Sequence, residues 1–150
     1  MPQSCVSLYF HLVFGTKFRL PTLDEPLRER LFAYVAGILR ARSCQLLAAG
    51  GMPDHVHWLI SLHQTVPVAE AVKIVKSCSS KWIHDTFPEQ SGFAWQAGYG
   101  ALSVSSSNLS KVEAYIRGQA EHHRAMTFQE EFLAFLKRHQ IAYDERYLWD

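Results

Sequence analysis

Apolar residues alternate through positions 4–14, with Val6, Leu8, Phe10, Leu12 and Phe14 on one side and Ser7, Tyr9, His11 and Val13 on the other, which predicts a strand. Pro21 and Pro26 then lead into a helical stripe of Leu27, Leu31, Val35, Ile38 and Leu39 that runs to about Arg42. A second strand is predicted over 44–49, a turn over GGMPD at 50–54, and a third strand over 55–62. In that third strand Val56, Trp58, Ile60 and Leu62 face a core, and His55, His57, Leu59 and Ser61 face the other way. Pro67 suits the start of a helix whose core side is Val68, Ala71, Val72, Val75, Cys78 and Trp82. Short strands are predicted across 93–105, and Ser107 or Asn108 is placed to cap a helix from Leu109 to about Arg124. Thr127 and Glu130 form a capping-box pattern before Phe128, Phe132, Phe135 and Leu136, which predicts a terminal amphipathic helix, with 143–150 left as an extended arm. Strand, helix, two strands, helix, strand or hairpin and two helices describe an α+β sandwich with a mainly antiparallel sheet.

Composition narrows the picture. The 150 residues suit a single domain, 1–150, with 48% hydrophobic and 19% charged positions. No apolar run reaches membrane-spanning length and the first ten residues lack the charge and cleavage pattern of a secretory leader, so a cytoplasmic protein with no membrane contact is expected. Three scattered cysteines, Cys5, Cys44 and Cys78, offer neither a disulfide framework nor a CxxC zinc motif. A net charge of +1 excludes a diffuse polycation, but residues 1–117 hold eleven basic and eight acidic side chains against four and six in 118–150, so an anionic partner should meet a local patch.

The chemistry-bearing residues fall in three groups. His55 and His57, two apart on a strand, present both imidazoles on one face within reach of one divalent cation; alone, such a pair is more often an ordinary hydrogen-bonded couple, and a third donor is needed. In YIRGQAEHHR, Tyr115, Gln119 and His122 fall within about 60° of one another on a helix, so that Gln119 or His122 could complete a metal shell and Tyr115 could act as a nucleophile; the ordinary alternative is a boundary aromatic beside polar surface. Opposite the apolar stripe of the 68–86 region, Lys73, Lys76 and Lys81, with Ser77 and Ser80, form a basic face that suits DNA phosphates or simply solvent.

Taken together, GGMPDHVHWLISL, the lysine-bearing VAEAVKIVKSCSSKWI, FAWQAGYGALSVS, YIRGQAEHHR and TFQEEFLAFLKRH resemble the single-tyrosine HUH transposases of the smallest bacterial insertion sequences, the IS200-like transposases, over nearly the whole chain. The resemblance implies a ferredoxin-like or RNA-recognition-like sheet with a C-terminal catalytic tyrosine helix. It implies that His55 and His57 are the HUH pair, that Gln119 is the third ligand of Mg or Mn, and that Tyr115 is the nucleophile, with His122 as an auxiliary candidate. It further implies a bacterial, nucleoid-associated enzyme acting on single-stranded DNA with end hairpins, as a homodimer whose catalytic sites are shared between subunits. A domesticated relative and a non-catalytic nucleic-acid-binding module are the alternatives.

Overall fold

The computed structural model describes residues 2–123 and 125–150. Strands β1 (Tyr9–Gly15), β2 (Gln45–Met52), β3 (His55–Ser61) and β4 (Gly100–Val104) form one sheet in the order β2-β3-β1-β4, every neighbour antiparallel. Helices α1 (Glu25–Arg40) and α2 (Val68–Thr86) are followed after β4 by α3 (Leu109–Arg117), α4 (Gln119–His122), α5 (Phe128–Arg138) and α6 (Glu145–Leu148). The fold is therefore mixed α/β on an open antiparallel sheet.

The period-two pattern sorts the strands between two layers. Leu12, Phe14, Val56, Trp58 and Ile60 meet Leu27, Leu31 and Val35 of α1 and Ala71, Val72 and Val75 of α2 in the main core. The opposite face is also covered: Ile116 of α3 packs on Ala48 and Leu59, while Phe128, Phe132 and Leu136 of α5 pack on Val13. The strand carrying the histidine pair is consequently buried on both faces, where one wet face was expected. Burial of both faces is what a central strand between two helical layers requires.

Two glycines set how closely the second layer approaches. A side chain at Gly50 would overlap the backbone carbonyl of Ile116, so α3 lies directly on β2, and one at Gly100 would meet the Phe132 ring at 2.6 Å. Asp24 caps α1 by accepting from the Leu27 N–H, and Thr127 caps α5 by accepting from the Glu130 N–H; each such cap contributes about 1 kcal/mol.

Several expected boundaries move. The first strand begins at Tyr9, and the second runs on through Gly50 and Gly51 to Met52 because the hairpin needs only Pro53 and Asp54. Residues 93–105 hold one strand and an isolated Thr16–Trp95 bridge. The expected helix over 109–124 breaks at Gly118 into α3 and α4, and its expected end at Arg124 lies outside the described residues; Asn108 precedes α3 without a side-chain capping bond. The 143–150 arm is docked, with Trp149 against Phe128 and Phe132 and the Asp150 carbonyl accepting from the Gly98 N–H.

Candidate active site

Antiparallel pairing places His57 between Val13 and Gly50, and His55 between Gly15 and Met52, so both imidazoles leave the sheet toward α3–α5. His55 is 1% and His57 0% exposed. The Asp54 carboxylate takes the His55 Nδ1–H at 2.7 Å, and that bond holds the Asp54 carboxyl below its usual range against the opposing effect of burial. In the neutral ring this leaves His55 Nε2 with a lone pair. His123 is fixed the same way, its Nδ1–H donating to the Met126 carbonyl at 2.9 Å and its Nε2 turned inward.

Against these two nitrogens stand two oxygens. Gln119 Oε1 lies 3.4 Å from His55 Nε2 and 3.1 Å from His123 Nε2, and Glu131 Oε1 lies 3.7 and 3.3 Å from the same atoms. Four acceptors thus converge in a buried space with no proton assigned between them, which is the arrangement a cation resolves. His55, His57, His123 and Glu131 each bring one ligand atom within 4.8 Å of the others. Imidazole nitrogens with carboxylate and amide oxygens suit a divalent cation.

His57 has two partners, Glu131 Oε1 at 2.9 Å from Nε2 and His11 Nε2 at 2.8 Å from Nδ1. Burial pushes the His57 pKa down to about 4 and the His11 pKa down to about 3, so both rings are neutral at pH 7. With His57 Nε2–H donating to Glu131, Nδ1 accepts from His11; a cation on Nε2 calls for the other tautomer, with Nδ1–H donating to His11. The pair accommodates either state without moving.

Tyr115 lies beside these groups. Its hydroxyl donates to Glu131 Oε2, His122 stacks on its ring at 4.2 Å, and Phe135 packs edge-on at 5.5 Å. Burial, then the Glu131 carboxylate, pushes the phenol pKa above its ordinary value. Glu131, although buried, is held well below the usual carboxylate range by the hydrogen bonds and charge it meets from His57 and by the Tyr115 hydroxyl.

The structure therefore brings His55, His57, Tyr115, Gln119 and His122 together, with His122 against the tyrosine ring and its neighbour His123 at the ligand cluster. It adds His11, His123 and Glu131. One sequence signal existed for Glu131: a carboxylate embedded in the Phe128, Phe132, Phe135 stripe. The lysines do not form one free basic set, and α2 covers the sheet face opposite Tyr115. Lys76 donates to the carbonyls of Gln96, Ala97 and Gly98, with burial lowering its pKa to about 8, and Lys81 pairs with Asp85 at 2.6 Å; both amines are thus committed within the protein.

Two cavities flank the centre. One, of about 350 Å³, reaches Tyr115 between β4, α3 and α5. The other, of about 550 Å³, reaches His55 and His123 beside the β2–β3 turn. No helix among the described residues is long and apolar enough to cross a membrane.

A family model described as IS200-like transposase matches residues 4–119. The chain is 26% identical over 117 residues to the ISDra2 transposase TnpA of Deinococcus radiodurans, covering 75% of this chain and 84% of that one. A crystal structure of a putative transposase from Deinococcus radiodurans superposes with a TM-score of 0.65 at 26% identity, over 77% of this chain and 95% of that one. The REP-associated tyrosine transposase bound to a REP hairpin superposes with a TM-score of 0.61 over 82% and 73% of the two chains, and at 13% identity that likeness concerns the fold alone.

Proposed function

We propose, since this chain belongs to the IS200-like transposase family, that it is a metal-dependent DNA transposase that cleaves and rejoins single-stranded DNA at insertion-sequence ends through a 5′-phosphotyrosine intermediate on Tyr115. The observation that carries this reading is the convergence of His55, His123, Gln119 and Glu131 acceptors within one hydrogen bond of a tyrosine hydroxyl. The βαββαβ order with strands arranged 2-3-1-4 supports a ferredoxin-like sheet, with α3 as its tyrosine helix.

His55, His57 and Gln119, joined by Glu131 and His123, would hold Mg or Mn. When bound, the cation supplies positive charge that polarises the scissile phosphate and eases ionisation of the neighbouring phenol. The protein's own residues do the rest. The Tyr115 oxygen attacks phosphorus, its proton passing toward Glu131 Oε2, which already accepts that hydrogen bond. The bond from phosphorus to the 3′ oxygen breaks, and that oxygen leaves as a 3′-OH after taking up a proton. One phosphodiester is exchanged for another, so a later 3′-OH can reverse the step without ATP. His122 keeps the phenol in place by stacking. A homodimer would handle two DNA ends, in the cytoplasm and on nucleoid DNA. Lys73, the lysine of α2 whose amine has neither an ion-pair nor a hydrogen-bond partner among the described residues, is the one open to a phosphate outside the centre.

Purified protein given single strands from both flanks of its gene should cleave them with Mg or Mn and stop in EDTA. His57→Ala should lower the cleavage rate by about 100-fold or more while retaining most strand affinity. Full cleavage by the His55→Ala/His57→Ala protein in EDTA would refute the metal-dependent reading.

A further inference from the structure

The cavity beside Tyr115 is unlike the rest of the surface in what lines it. Lys111 and Tyr115 of α3 line it one helical turn apart, with Asn108 just before that helix, and across from them stand Phe135 and Arg138 of α5 with His139 just past its end. Lys111 and Arg138 stand on the two helical walls, both exposed, and neither has an ion-pair partner among the described residues. Phe135 forms the apolar floor and touches the rings of Tyr115, His57 and His11. Two unpaired cations, an amide, an imidazole and an aromatic floor match the parts of one nucleotide: phosphate on either side, a base to stack and edges to hydrogen-bond. The cavity, of about 350 Å³, lies at the small end of the range of ligand sites, a size that suits one nucleotide unit.

We propose that this cavity is the subsite that seats the nucleotide adjoining the scissile phosphate, with Lys111 and Arg138 gripping backbone phosphates so that the strand enters between α3 and α5. Arg138 and His139 lie beyond residues 4–119, so half of this grip is supplied by the part of the chain outside the family match. The inference rests on the single-stranded-DNA reading above, and it places the strand on the sheet face opposite α2.

The test compares Lys111→Ala/Arg138→Ala with Arg40→Ala/Arg42→Ala, which removes two exposed charges from the other layer. The probe is a hairpin-free labelled single strand of about 15 nucleotides, titrated at several salt concentrations. The first variant should bind on the order of tenfold more weakly, with the slope of log affinity against log salt reduced by about 1.4, because each neutralised phosphate of a single strand contributes about 0.7. Its melting temperature should be unchanged, since both side chains are exposed, and its cleavage KM should rise more than its kcat falls. The control variant should keep the wild-type slope. A wild-type slope in the Lys111→Ala/Arg138→Ala protein, or an equal loss of affinity for blunt duplex, overturns the subsite while leaving the enzyme reading intact. Absence of single-strand binding and cleavage in the wild type overturns both.

Discussion

Glu131 is 1% exposed, yet it carries a charge, a cost met only because His57, His123 and Tyr115 all turn toward it. Replacing it by Gln keeps the shape and the acceptor for the Tyr115 hydroxyl but removes the charge that a cation needs. Glu131→Gln should therefore weaken Mn binding by about 10- to 100-fold in calorimetric titration, and unchanged affinity would restrict Glu131 to holding the metal-free site together. The two strand histidines, Tyr115 and Gln119 were legible in the sequence because their relation is local: two residues along a strand, four along a helix. Glu131 and His11 were not, since Glu131 meets Tyr115 across 16 residues and His57 across 74, and His11 meets His57 across 46. Only the pairing of β1 with β3 and the docking of α5 create those contacts. A continuous helix would turn His122 to the ligand cluster, and the break at Gly118 resets that phase so that His123 takes the place.

Helix α3 carries Tyr115, and its height above the sheet is set at Gly50, where the Ile116 carbonyl occupies the place of a side chain. Gly50→Ala forces the backbones of β2 and α3 apart, a strain of about 1–3 kcal/mol, and moves the phenol away from Glu131. The variant should retain its circular dichroism spectrum, melt lower and cleave at least about tenfold more slowly. Wild-type cleavage would mean that α3 is positioned by something other than this contact. At this scale most of the strand and helix order was readable from periodicity, since α1, α2 and α5 each show one apolar stripe. What periodicity missed were features decided by a partner: the single strand within 93–105, the docked terminal segment, and the fate of the lysine face. Lys76 follows the exposed stripe of α2, but the 96–98 loop folds over it and its amine becomes a strut for three carbonyls.

At the scale of the molecule, one chain supplies every group of the centre: the two strand histidines, Gln119, Glu131 and the tyrosine hydroxyl. The resemblance implies, beyond this, two copies acting together on two DNA ends with catalytic helices shared between subunits. The central proposal is that Tyr115 attacks DNA at the centre built on His55 and His57. The direct measurement is peptide mass spectrometry after reaction of the protein with labelled single-stranded flank DNA and Mn, carried out on the wild type and on the His57→Ala and Tyr115→Phe proteins separately. A 5′-phosphotyrosine adduct is expected at Tyr115 in the wild type and none above background in either variant. An adduct on another tyrosine, including Tyr9 on the same sheet face as His11, or efficient adduct formation by either variant, would contradict it.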